Sequence, residues 1–107
     1  MINAEFLKKD DIFVGFSVKD HACFADAGYD ICCASVSSAV MITANTITEI
    51  FGIKADVSVN NEVGEVNLNI TDDENKNADK MIAGLVLHLN EIAKEFPGYI
   101  RIEEKNV

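Results

Sequence analysis

The sequence predicts an α+β fold, with two helices packed on one face of a largely antiparallel sheet in the order ββαββαβ. Three observations carry this. Short apolar runs of period 2 come in pairs separated by polar turns, as in β-hairpins. Two longer stretches repeat apolar residues near the helical period. Residues that start and stop helices bracket both stretches.

The elements follow in chain order. Ile2, Ala4 and Phe6 alternate with less apolar neighbours. Lys8-Lys9-Asp10-Asp11 reads as a turn, and Ile12, Val14, Phe16 and Val18 alternate again, completing a first hairpin. Residues 19–29 have no clean period and read as an irregular loop. Asp30 is a good N-cap, so a first helix is expected from about Ile31 to Phe51. Val36, Val40, Ala44, Ile47 and Phe51 form its apolar stripe, and Gly52 suits its end. Ala55, Val57 and Val59, a turn at residues 60–62, then Val66, Leu68 and Ile70 give a second hairpin. Thr71 and Glu74 have the spacing of a capping box. The second helix then runs to about Phe96, burying Ala78, Met81, Ile82, Leu85, Leu89, Ile92 and Phe96, until Pro97-Gly98 stops it. Tyr99–Glu103 makes a last short strand.

Size and charge bound the function. A chain of 107 residues favours a single domain, residues 1–107. The N-terminal sequence lacks the basic-then-apolar pattern of a signal peptide. No apolar run approaches the roughly 20 residues that span a bilayer. A cytoplasmic location without membrane contact is the expectation. The net charge of −9 argues against direct nucleic-acid binding, which depends on Lys and Arg neutralising phosphates, and favours a basic protein partner.

The chemistry is concentrated in HACFADAGYDICCAS, residues 21–35, which holds His21 and all three cysteines, Cys23, Cys32 and Cys33. A zinc site is disfavoured. No C-x-x-C pair is present, and adjacent cysteines at a helix start diverge by about 100°. No metal or other cofactor is expected. A redox pair of Cys23 with Cys32 or Cys33 stays open, since a loop separates them. Nucleophilic catalysis is the third reading. Cys33 falls in the first helical turn, where free N–H groups and the helix dipole favour a thiolate. His21 on the preceding loop could act as its base, and the same N–H groups could hold an oxyanion. The fourth is a plain buried thiol, because Cys33 continues toward Val36, Val40 and Ala44.

The same residues carry a resemblance. His21-Ala22, Ala25, Gly28 and the run Asp30-Ile31-Cys32-Cys33-Ala34-Ser35-Val36-Ser37 resemble the signature of the ribosomal-processing cysteine proteases called Prp, approximately G-H-A-x-x-A-x-x-G-x-D-I-V-C-A-A-V-S. The element order and length also resemble that family's. The resemblance implies a catalytic cysteine at Cys33 and a catalytic histidine at His21, with Asp30, Ser37 and Gly28 supporting. It implies a homodimer that removes the N-terminal extension of a large-subunit ribosomal protein, a basic substrate suited to an acidic enzyme. Five positions depart from the pattern. Asp20 stands where the family has glycine, stiffening the loop and placing a carboxylate beside His21. Cys23, Phe24, Cys32 and Ser35 replace glycine, tyrosine, valine and alanine.

Three functions follow as expectations: a cysteine endopeptidase, a non-catalytic acidic dimeric module that holds a basic ribosomal partner, and a thiol redox sensor. Each residue also has a plainer role. Asp30 is at least a cap, Gly28 allows a tight turn, Ser37 bonds a carbonyl one turn back, and His88 in the second helix is structural or on the surface.

Overall fold

The computed structural model describes residues 1–20, 30–74 and 76–107. Among them are β1 (Ile2–Lys9), β2 (Ile12–Lys19), α1 (Ile31–Asn45), β3 (Lys54–Asn60), β4 (Glu65–Asp72), α2 (Asn77–Glu95) and β5 (Ile100–Asn106). The strands form one sheet in the order β3-β4-β2-β1-β5. All neighbours are antiparallel except β1 and β5, which run parallel. The α+β architecture and the ββαββαβ order are as the sequence predicts.

Alternation fixes which face of the sheet is covered. Ile2, Ala4, Phe6, Phe16, Val18 and Leu68 point into one core with Val36, Val40, Ala44 and Ile47 of the first helical segment and Ile82, Leu85 and Leu89 of α2. Burial of one such aliphatic side chain contributes roughly 1.5–3 kcal/mol. Phe6 lies at its centre, with the rings of Phe13 and Phe16 each 6.2 Å away. α2 keeps to its expected face: Ala78, Ile82, Leu85, Leu89 and Ile92 are buried, and Met81 and Phe96 pack at the margin.

The first hairpin differs from the simple alternation. Its turn is only Asp10-Asp11, both at positive φ (53° and 62°), as in the tight two-residue hairpin turns. Leu7 pairs with Gly15 but Lys8 pairs with Phe13, so Val14 is an extra residue in β2. This bulge shifts the inward face by one position. Phe13, not Ile12 or Val14, packs on the core. The N–H of Phe13 donates to Asp79 Oδ1 of α2 at 2.8 Å, which ties the bulge to that helix's first turn.

Two helix boundaries also differ. α1 ends at Asn45 and passes into a π-helical turn, Thr46–Ile50, leaving Phe51 half exposed rather than in the stripe. Thr43, Thr46 and Thr48 each bond the carbonyl four residues back, which loosens the regular ladder. The Thr71–Glu74 capping box does not form, because Thr71 remains in β4, whose next residue, Asp72, pairs with Lys54. Asp73 takes over: its Oδ2 accepts from the N–H of Ala78 at 2.9 Å.

One expectation needs correcting. Ile31–Ile50 is a 20-residue helix with mean hydropathy 1.5, so by length and composition a segment does reach bilayer dimensions. Serine and threonine interrupt the apolar residues and mask this in a plain reading. One face of the helix is spent on the core, with Cys32, Val36, Val40, Ala44 and Ile47 buried, as in a core helix.

Candidate active site

The start of α1 is built by Asp30. Its backbone is extended (φ −80°, ψ 95°), and its Oδ1 accepts from the N–H of Cys33 at 2.9 Å. Its carbonyl accepts from Ala34 at 3.0 Å, the first helical bond. Asp30 is therefore the N-cap that the sequence predicts.

The two adjacent cysteines have different fates. Cys32 is fully buried (0% exposed), whereas Cys33 is only partly so, at the flank of the core. The stripe explains the split. Cys32, Val36 and Val40 follow i, i+4 spacing onto one face, and Cys33 is rotated about 100° from it. Cys32 is the core thiol, not Cys33. Burial pushes the Cys32 thiol up from its ordinary value, and the charges of Asp30 and Cys33 push the same way. Cys32 is thus held as a neutral thiol, unsuited to attack.

The N–H of Cys33 is engaged by Asp30, so it is not an idle oxyanion donor. The N–H groups of Ile31 and Cys32 remain without intrahelical acceptors, as at every helix start. Ser37, one turn beyond Cys33, is exposed. The expected side-chain bond to a carbonyl one turn back is made by Ser35, whose Oγ donates to Ile31 O at 2.7 Å. His21, Gly28 and Cys23 lie outside the described residues, so the structure locates the cysteine half of the expected pair. His88 is exposed, in a groove between the helices with Leu85, Ser35, Ser38, Ala39 and Ile42. No cluster of three or more His, Cys, Asp or Glu suited to a metal occurs among the described residues.

Asp20, the last described residue before His21, has a φ of +74°, in the left-handed region that favours glycine. Its N–H donates to Val63 O at 3.2 Å, and its Oδ2 accepts from Asn3 Nδ2 at 2.8 Å. Local sequence gives no signal for Asn3. Strand pairing brings it there, since Asn3 lies opposite Lys19 in the β1–β2 register.

Comparison with known proteins completes the picture. No curated protein matches the sequence. The ribosomal processing protease Prp of S. aureus, solved with a covalently linked product peptide, superposes with a TM-score of 0.91 at 23% identity, covering 98% of this chain and 100% of that one. The same protease with a substrate peptide gives 0.85 at 22% identity, over 98% and 100%. A Streptococcus mutans protein gives 0.84 at 20% identity, over 100% and 96%. At such identities these likenesses speak for the fold. The model of the family described as cysteine protease Prp matches residues 1–101. A match over nearly the whole chain decides the matter: this protein belongs to the cysteine protease Prp family.

Proposed function

We propose that this cysteine protease removes the N-terminal extension of a large-subunit ribosomal protein, with Cys33 as nucleophile and His21 as its base. The observation that carries the assignment is the contrast between neighbouring thiols. Cys33 is partly accessible in the first turn of α1, and Cys32 is sealed in the core. The similar S. aureus enzyme, described as a ribosomal processing protease and solved with substrate and product peptides, supports the substrate class.

His21 takes the proton from Cys33 Sγ, and the thiolate adds to the scissile carbonyl. First-turn N–H groups of α1 other than that of Cys33 hold the oxyanion. His21 returns the proton to the leaving amine, and water hydrolyses the thioester. Asp30 keeps the helix start in place, and the resemblance to the family signature assigns Gly28 and Ser37 supporting roles. The proposed chemistry calls for no metal or cofactor, and a cytoplasmic location is part of the same proposal. Its charge of −9 draws the basic body of the substrate.

The protein acts as a homodimer, and the outer face of the first helix is the surface that supports this. No charged residue occurs from Ile31 to Thr48, while Ile31 (58%) and Ile42 (66%) are exposed. Two copies carrying −9 each repel least where neither bears charge. Ile42→Glu should convert the dimer to monomer in sedimentation velocity; an unchanged dimer would place the interface elsewhere.

The catalytic assignment is tested by incubating enzyme with the ribosomal protein and weighing the products. Cys33→Ala should abolish cleavage, while Cys32→Ala and Cys23→Ala retain it. Cleavage by Cys33→Ala ends the assignment, and an intact partner with the unmodified protein favours the non-catalytic module.

A further inference from the structure

We propose that Asp20 is a positioning residue for catalysis, clamped by Asn3 in a left-handed conformation so that it sets how the chain leaves β2 toward His21. This rests on the assignment of His21 as the base.

A residue with a Cβ at a φ of +74° is held against its own preference, although aspartate tolerates that region better than most residues. Glycine would adopt the same φ freely but would also adopt many others. Two bonds fix Asp20. Its N–H reaches Val63 O at 3.2 Å, joining the end of β2 to the β3–β4 turn, and glycine could make this bond equally well. The second bond is specific to the side chain: Asp20 Oδ2 accepts from Asn3 Nδ2 at 2.8 Å. Asn3 is itself anchored, since it sits in β1 opposite Lys19 and its Nδ2 also reaches Met1 O at 3.3 Å. The joint is thus tied to β1 on one side and the β3–β4 turn on the other.

The next residue in the chain is His21. A general base must meet its partner within hydrogen-bond reach, and small misplacements cost large factors in rate. The clamp fixes the backbone of Asp20, the residue to which His21 is bonded. It acts by geometry, because the charges around the joint are mixed: Glu5, Lys19, Arg101 and Glu103 share its cleft.

The experiment compares Asp20→Gly, Asp20→Asn, Asn3→Ala and the Asn3→Ala/Asp20→Gly double variant. Steady-state cleavage of the processing-site peptide is followed together with iodoacetamide labelling of Cys33 at neutral pH. Asp20→Gly and Asn3→Ala should each lower kcat by about tenfold with KM unchanged, and slow labelling similarly. Asp20→Asn tolerates the left-handed region and still accepts from Asn3, so it should stay within about twofold of the unmodified enzyme. The double variant should be no worse than either single one, since both remove one bond. Wild-type rates in both Asp20→Gly and Asn3→Ala overturn the proposal. So does a loss in Asp20→Asn equal to that in Asp20→Gly, which would point to charge. If the unmodified protein labels fast at Cys33 but cuts no peptide, the substrate assignment fails, and the labelling series alone decides the clamp.

Discussion

Removing the cap of α1 should separate a hydrogen bond from a charge at the place where the nucleophile sits. Asp30 Oδ1 accepts from the N–H of Cys33 at 2.9 Å. Replacing an N-cap aspartate by alanine costs about 1 kcal/mol. Loss of a carboxylate from a helix N-terminus costs a further 0.3–1 kcal/mol or so. Asp30→Ala should therefore destabilise the protein by about 1–2 kcal/mol. Asp30→Asn keeps an oxygen acceptor and loses only the charge, so its cost is about 0.3–1 kcal/mol. For a domain near 100 residues, each kcal/mol lowers the melting midpoint by about 4 °C or more. Circular-dichroism melts at neutral pH should then rank the proteins wild type, Asp30→Asn, Asp30→Ala, with the last about 4–8 °C below the first. An unchanged midpoint in Asp30→Ala, or equal losses in both variants, would show that the bond to Cys33 does not hold the helix start.

Further outcomes follow from the same structure. Asp79→Ala should cost about 1–3 kcal/mol in urea unfolding, because the part-buried N–H of Phe13 loses its acceptor. Asp11→Gly should stabilise the first hairpin by up to about 1 kcal/mol, since Asp11 has a φ of 62° that glycine adopts without strain. The raised Cys32 thiol also makes stability pH-dependent. Its native state holds the proton more tightly than the unfolded state, so this contribution is complete below the ordinary thiol range. It is lost as pH rises through the native value. Urea midpoints should fall on the alkaline side more steeply in the wild type than in Cys32→Ala.

Where the sequence carries its own local reason, it is legible. Asp30 announces the start of α1 through a side chain that reaches its own backbone, and the α2 stripe repeats over nineteen residues. Pairing between distant strands is less visible. The bulge at Val14 arises from the register of β1 against β2, so alternation alone places the wrong residues inward. The Thr71–Glu74 capping signal lost to continued β4 pairing, in which Lys54 lies opposite Asp72. In the site, Cys32 and Cys33 differ by one helical step, and only packing reveals which of them faces the core. The φ of Asp20 is not announced by its own neighbours in sequence, since its left-handed state is held by Asn3 of β1 and Val63 of the β3–β4 turn.

The parallel pairing of β1 with β5 has a consequence for synthesis. Ile2 lies beside Ile100, so partners roughly a hundred residues apart must meet before the opening strand is flanked on both edges. During translation, the nascent chain would carry an apolar strand with one side unclaimed until residues 100–106 have been made. An assembling protein in that condition is vulnerable to aggregation. Deleting residues 100–106 should therefore reduce soluble yield far more than the small, largely surface-lying mass of those residues suggests.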